Sequence, residues 1–195
     1  MSSNQRKEAP ILTLIERKVS SLIEDFCAPS SSHHLMQCTI HALTRKIIFH
    51  AQGQGPWGLA KAATLIPVLR GGLPMYFKGS RDVDVEWLIR KPLPRLEDIK
   101  DSGPLILLDT VIATGDTLNK LCDQLLDMPG CTPRSVIIMT CYASPVALKR
   151  LAAHPVVKYL VVAKAAEQCD DNDHLVPSTN GDIGDKIYGA KCEKK

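Results

Sequence analysis

The sequence contains no apolar run near the roughly 20 residues that a helix needs to cross a bilayer, so a membrane-spanning protein is not indicated. The first ten residues lack an apolar stretch of the signal-peptide type, and we expect no secretion. The net charge of +3 is spread along the chain, which counts against a nucleic-acid-binding surface. The 195 residues show no internal repeat and suit one domain, 1–195, of which residues 1–10 are expected to be flexible.

The seven cysteines form no Cys-x-x-Cys pair with one another. A structural zinc site or a redox dithiol is therefore not indicated, and we expect reduced thiols in a cytoplasmic protein. The adjacent His33 and His34 follow a serine run, which predicts a helix-entry loop. The pattern does not favour a metal site there.

The amino-terminal section predicts two helices. Residues 11–26 place apolar side chains on one helical stripe, and a second helix is expected over about residues 35–50. The stretch AQGQGPWG at 51–58 should then interrupt regular structure.

Four short apolar runs follow, and helical patterns separate the last three. The runs are ATLIPVLRGG, PLILLD, SVIIMTCY and VKYLVVAKA; the helical patterns are TLNKLCDQLLDM and SPVALKRLAAH. Continuous apolar runs are typical of strands covered on both faces, and intervening helices favour parallel strands. The predicted fold class is α/β, with an open, mainly parallel sheet flanked by helices and a helical amino-terminal section. Ligands of such folds bind at the carboxyl ends of strands, here after Leu69, Leu108, Tyr142 and Ala165.

The first candidate site is LILLDTVIATGDTL at 105–118, where a buried run meets Asp109 and a small-residue loop. The loop ends where a helix begins, so backbone N–H groups and the helix dipole would favour an anion there. Asp109 suits sugar hydroxyls or a magnesium-bound water. The alternative is an ordinary turn in which Asp116 or Thr117 caps the helix, and these residues alone do not decide between the two.

Two further stretches carry weaker signals. In VLRGGL, Arg70 and two glycines would present a guanidinium and backbone amides to a diphosphate. In VPSTNGDIGDKIYG, two glycines flank Asp182, and Asp185 follows closely. Taken singly, a surface arginine and a solvated turn are the favoured interpretations.

Together the three stretches resemble the uracil phosphoribosyltransferases, a branch of the type I phosphoribosyltransferases. The family's phosphate loop, D-P-x-L-A-T-G-G-S/T, is matched by DTVIATGDT, and its LRAGLGM by LRGGLPM. Its closing VPG-x-GDAGD motif is matched by VPSTNGDIGD, and YFKGSRDVDVEWLIRKPLP is similar to its flexible arm. The resemblance covers roughly residues 60–191.

This resemblance implies transfer of ribose 5-phosphate from 5-phosphoribosyl 1-diphosphate (PRPP) to uracil or a related pyrimidine, as in the salvage of UMP. It also implies Mg²⁺ that arrives with the diphosphate and has no direct protein ligand, and a homodimer or larger homo-oligomer. The catalytic residues would be Asp109, Asp182 and Arg81. The implied PRPP-binding residues are Arg70, Arg81, Asp109, Ala113, Thr114, Gly115, Asp116, Thr117 and Asp182; the implied base-binding residues are Val176, Gly181, Asp182 and Ile183.

The sequence departs from the family pattern in three places. Asp116 replaces a glycine of the phosphate loop, the segment between Met75 and Arg81 lacks room for a helix and a strand, and the base loop is one residue longer. The longer loop predicts that uracil is used poorly. Two alternatives remain: a catalytically weak relative that acts as a regulatory or partner subunit, and a nucleic-acid-binding regulator built on the same fold.

Overall fold

The computed structural model describes residues 8–14, 17–53, 64–76, 105–127, 136–169, 175–176, 179 and 183–188. Its elements are β1 (Ile11–Thr13), α1 (Arg17–Cys27), α2 (His33–Gly53), β2 (Thr64–Pro67), β3 (Leu105–Ile112), α3 (Asp116–Leu126), β4 (Val136–Ala143), α4 (Pro145–Ala152), β5 (Val157–Ala165), β6 (Gln168–Cys169), β7 (Leu175–Val176) and α5 (Ile183–Tyr188). Among the described residues, no helix has the length and apolar character to cross a membrane.

Five strands form one sheet in the order β1-β5-β4-β3-β2, and every neighbouring pair is parallel. The central strand β4 is buried at all eight positions, which is why its sequence is apolar without alternation. β6 and β7 form a separate antiparallel pair. The predicted open, parallel α/β fold is confirmed.

Helices cover both faces of this sheet. Along β3, Ile106 and Leu108 join the apolar cluster that contains α1, α2 and α5, whereas Leu105 and Leu107 join the cluster of α3 and α4. Successive side chains of a strand point to opposite faces, so one apolar run serves both layers. The sheet thereby brings the carboxyl ends of β2, β3, β4 and β5 to a single edge.

The amino-terminal prediction is wrong for residues 11–13. They form the edge strand β1, in which Ile11 pairs with Leu160 and Thr13 with Val162, and the first helix begins at Arg17. Three residues of strand contribute little to a helical periodicity, and their partner lies about 150 positions away in the chain.

The second helix is longer than predicted. It begins at His33, and the Ser32 hydroxyl accepts a hydrogen bond from the Leu35 N–H at 3.2 Å. His33 and His34 therefore lie in the first helical turn and not in an entry loop, because Ser32 already caps the helix.

Residues 9 and 10 are held in the fold. The Ala9 N–H donates to the Ala152 carbonyl at 2.8 Å, the Leu160 N–H donates to the Pro10 carbonyl at 3.1 Å, and Ala9 is buried. The expectation that residues 1–10 are flexible stays a prediction, since residues 1–7 lie outside the described part of the chain.

Candidate active site

Two of the three sequence stretches are joined by hydrogen bonds at the carboxyl edge of the sheet. The Val68 N–H donates to the Leu108 carbonyl at 2.8 Å, which extends the pairing of β2 with β3 beyond Pro67. The buried Thr110 hydroxyl donates to the Gly71 carbonyl. The Arg-Gly-Gly turn is thus fixed directly against β3.

Gly71 lies where all three stretches meet. A Cβ atom on Gly71 would lie 3.0 Å from Asp109 Oδ1 and 3.5 Å from Ile183 Cγ2. The Arg-Gly-Gly turn, Asp109 of β3 and the carboxyl-terminal motif therefore lie next to one another at Gly71.

Arg70 connects the turn to helix α5. Its Nη2 lies 3.3 Å from Asp185 Oδ1, and the Tyr188 hydroxyl donates to the Arg70 carbonyl at 3.5 Å. About half of the Arg70 side chain is exposed. The guanidinium is therefore oriented by a carboxylate while it stays open to solvent, as an anion-binding arginine requires.

The α1–α2 region holds helix α5 in place. The His33 ring donates from Nδ1 to the Lys186 carbonyl at 2.7 Å, and Gln37 Nε2 donates to the Ile187 carbonyl at 3.1 Å. Lys186 Nζ lies 3.5 Å from the Ala28 carbonyl oxygen. The Lys186 and Ile187 carbonyls belong to α5, a short helix in which they would otherwise lack hydrogen-bond donors. His33 thus positions the carboxyl-terminal motif.

Asp109 lies inside strand β3 and not at the start of a loop as the sequence suggested. β3 continues to pair with β4 through Val111 and Ile112, so the loop begins only at Ala113. The Asp109 carboxylate accepts hydrogen bonds from the backbone N–H groups of Thr110 and Val111. Burial nevertheless raises the pKa of Asp109 to about 7, because desolvation outweighs those two bonds.

A buried thiol lies beside Asp109. Burial raises the pKa of Cys141 far above its usual range, and the Asp109 carboxylate raises it further, whereas a hydrogen bond with Thr44 acts in the opposite direction. Cys141 is therefore a neutral packing group beneath the site.

The phosphate-type loop consists of residues 113–115 and the first turn of α3. Gly115 is the N-cap residue with φ 78°, and no side chain caps the helix from that position. A side chain on Gly115 would also meet the Ala147 Cβ at 3.1 Å. The alternative in which Asp116 or Thr117 caps the helix is therefore wrong. The Asp116 N–H is satisfied within the loop by the Thr114 hydroxyl at 3.3 Å.

Ser144, which is not among the residues predicted from the sequence, anchors this loop. Its hydroxyl donates to the Ala113 carbonyl at 2.5 Å and accepts from the Ala147 N–H at 2.9 Å. The backbone N–H of Ser144 donates to the Ile112 carbonyl. The pair Ser144-Pro145 does signal the start of a helix. The contact with Ala113, 31 residues away, has no such local signal.

Asp116, the acidic residue of the loop, forms an ion pair with Arg150 of α4. The hydrogen bond from Arg150 lowers the pKa of Asp116, with smaller contributions from the charges of Arg150 and Lys120. The side chain that departs from the family pattern therefore has a cationic partner on the neighbouring helix.

The remaining sequence candidates have the following places. Thr117 is exposed in the first turn of α3, and Ile183 begins α5 beside Gly71. Val176 belongs to β7, but its side chain is not among the described groups. Arg81, Gly181 and Asp182 lie outside the described residues. Among the described residues, no group of three or more His, Cys, Asp or Glu side chains could hold a metal ion.

The comparison with known proteins agrees with this geometry. The model of the family described as uracil phosphoribosyltransferase matches residues 88–190, which is more than half of the chain. The chain belongs to the uracil phosphoribosyltransferase family. The matched range includes Asp109, the phosphate-type loop and the carboxyl-terminal motif, whereas the Arg-Gly-Gly turn lies before it. Membership implies small-molecule substrates.

One relative supports the family assignment, and one solved structure shows the same fold. A Schizosaccharomyces pombe protein named "Putative uracil phosphoribosyltransferase urg2" is 32% identical over 141 residues, covering 66% of this chain and 67% of its own. The solved structure of the AQ2163 protein from Aquifex aeolicus has a TM-score of 0.72 and 19% identity. It covers 93% of this chain and 99% of its own, and it shows the same fold.

Proposed function

We propose that the protein transfers ribose 5-phosphate from PRPP to a ring nitrogen of uracil or a related pyrimidine and releases diphosphate. The observation that supports it most is the position of Gly71, which borders both Asp109 and Ile183. Three separate stretches with the residue types needed for diphosphate, ribose and base thus meet at one edge of the sheet.

The proposed roles follow from what each group offers. The transition state carries positive charge at the sugar C1 and negative charge on the departing diphosphate, so the site must stabilise both. Arg70 would bind the diphosphate, and Asp109 would accept hydrogen bonds from the ribose hydroxyls. The amides and hydroxyls of residues 113–117 would hold the 5-phosphate at the amino-terminal end of α3.

The base pocket and the rest of the diphosphate site involve residues beyond the described part. By family analogy, Arg81 would bind the diphosphate, and Asp182 would position the diphosphoribose. Val176, Gly181 and Ile183 would border the base. Of these, Ile183 is already placed beside Gly71.

Magnesium is part of the proposal as a companion of the diphosphate. Such an ion would enter chelated by phosphate oxygens and keep several waters. The Asp109 carboxylate is the kind of oxygen acceptor that such a water would contact. When bound, the ion would neutralise charge on the leaving diphosphate.

A release assay tests the function. PRPP, Mg²⁺ and a panel of pyrimidine and purine bases are incubated with the protein, and diphosphate is measured. We expect release with a pyrimidine, and we expect uracil to be turned over well below the order of 10 per second of an ordinary enzyme. One inserted residue displaces backbone by up to about 3.3 Å, more than a hydrogen bond can stretch. Deletion of Asn180 should raise the uracil rate.

Each result has a definite meaning. Uracil turnover at ordinary rates would contradict the argument from the base loop. Release with a purine alone would contradict the choice of acceptor. PRPP binding without release for any base would favour the regulatory or partner subunit over an enzyme.

Arg70 provides a second test. Arg70→Ala should weaken diphosphate binding by about 10- to 100-fold, since a charge-assisted hydrogen bond contributes roughly 1.5–3 kcal/mol. Nucleoside monophosphate binding should change little. Asp185→Asn keeps an oxygen that can accept from Arg70 but removes the negative charge beside the guanidinium, so diphosphate binding should become stronger. Calorimetry with diphosphate and UMP measures both variants; equal losses of the two ligands in Arg70→Ala would mean that Arg70 is a structural residue.

A further inference from the structure

The loop proposed to hold a phosphate carries a negative charge of its own. Asp116 occupies the first turn of α3, where a carboxylate and a phosphate compete for the same backbone N–H groups and the same positive end of the helix dipole. A carboxylate at that position normally hydrogen-bonds to its own helix. In this chain the Asp116 carboxylate forms an ion pair with Arg150 on α4, and it also has a weaker hydrogen bond with Thr114 of the loop.

The neighbouring helix is well placed to hold that carboxylate. Ser144 caps α4 and binds the Ala113 carbonyl, and Gly115 packs against Ala147 and Leu151. Arg150 projects from the last turn of this anchored helix. Helix α4 therefore contacts the loop and also carries the Arg150 guanidinium. The direction of the Asp116 side chain thus depends on α4 as well as on α3.

A further polar contact, between α3 and the segment that follows α4, lies away from the loop. His154 Nε2 is 3.0 Å from Asp123 Oδ1, and the Val156 N–H donates to His154 Nδ1, so the proton resides on Nε2. This contact joins α3 to the segment that directly follows α4. The Arg150–Asp116 pair is largely exposed, with 48% and 55% of the side chains accessible, so it adds little to the stability of the helix pair.

We propose that Arg150 is a positioning residue for phosphate binding: it neutralises Asp116 and directs its carboxylate toward α4, away from the anion. The proposal rests on the proposed function, in which a 5-phosphate binds at residues 113–117. Asp116 would thus be tolerated in a loop that has glycine in the family pattern because the chain supplies a cation 34 residues later.

The expected effect is electrostatic. Without Arg150 the Asp116 carboxylate keeps only the weaker effects of the Thr114 hydrogen bond and the Lys120 charge. Its repulsion of a phosphate at about 4 Å in a water-like dielectric corresponds to about five-fold weaker binding. Salt screens exposed charges, so the loss should shrink between about 0.05 M and 0.5 M ionic strength.

The experiment is a double-mutant cycle with ribose 5-phosphate as the probe, because it carries the phosphate and sugar without a base or diphosphate. Calorimetry compares the wild type with Arg150→Ala, Asp116→Gly and the double variant at both ionic strengths. We expect about five-fold weaker binding for Arg150→Ala alone, whereas the double variant should bind as tightly as Asp116→Gly. Lys149→Ala removes the same charge from the next position of α4 and should leave the affinity unchanged.

Two further measurements separate the possible outcomes. Arg150→Lys should retain most of the affinity, and thermal unfolding of Arg150→Ala should stay close to the wild type. Equal losses from Arg150→Ala with Asp116 present and with Asp116→Gly, or no loss at all, would overturn the inference while the phosphate site stands. Failure of the wild-type protein to bind ribose 5-phosphate would overturn the proposed phosphate site and this inference together.

Discussion

Gly72→Ala should destabilise the protein by at least about 3 kcal/mol, more than most single substitutions do. A Cβ atom at Gly72 would overlap the Leu108 carbonyl oxygen and lie 2.7 Å and 2.9 Å from the backbone N and O of Val68. These are backbone atoms engaged in two short hydrogen bonds, Val68 to Leu108 and Gly72 to Val68, so none of them can rotate away. The strand β2 would have to separate from β3. Urea unfolding followed by circular dichroism measures the loss.

Gly71→Ala is the matched control for this prediction. Its Cβ would meet the Asp109 carboxylate at 3.0 Å, a side chain that can shift by a few tenths of an ångström. We therefore expect stability near that of the wild type and weaker binding of PRPP, because Asp109 moves. If Gly71→Ala and Gly72→Ala lose the same stability, the clash with the Leu108 carbonyl is not what makes Gly72 necessary.

The central fold was predictable because its signals are local. The runs that became β3, β4 and β5 are mainly apolar and do not alternate strictly, which is typical of strands covered on both faces. The helices between them carry one apolar stripe each. β1 was missed for the opposite reason, since a three-residue edge strand is defined by its pairing with Leu160–Val162 and not by its own pattern.

The candidate site was predictable in its residue types but not in its connections. The Asp109 strand end, the Gly115 turn and the Arg70 turn each have a recognisable sequence. The residues that fix them do not: Ser144 acts on Ala113 and His33 acts on Lys186 through contacts over 31 and 153 positions. Such contacts depend on how the sheet and helices pack together, and no local sequence pattern predicts them.

Asp109 shows how the site conflicts with stability. Its carboxyl group has a pKa of about 7, above the ordinary 3.8, because burial disfavours the charged form. When the folded-state pKa of an acid is raised, the unfolded chain releases its proton first as the pH rises. The fold is therefore penalised increasingly from about pH 4 to about pH 7, and the penalty is fully present above that.

Asp109→Asn should remove this penalty and weaken substrate binding at the same time. A pKa rise from 3.8 to about 7 corresponds to about 4 kcal/mol, but part of the side chain is exposed, so solvent screening reduces this figure. We therefore expect the variant to be more stable than the wild type by about 1–2 kcal/mol at pH 8. The difference should fall toward zero as the pH approaches 4.

Urea unfolding between pH 4.5 and pH 8 measures that difference, and Asp116→Asn provides the contrasting variant. Arg150 lowers the pKa of Asp116, so that carboxylate stabilises the fold above its unfolded pKa and loses this effect as the pH falls. The two variants should thus deviate from the wild type in opposite directions at pH 8. Binding of PRPP to Asp109→Asn should fall at least about ten-fold, because an amide replaces the charged acceptor proposed for the ribose hydroxyls. A stability gain without a loss of PRPP affinity would place Asp109 outside the substrate site. A loss of affinity with no gain in stability would contradict the penalty expected from the raised pKa of Asp109.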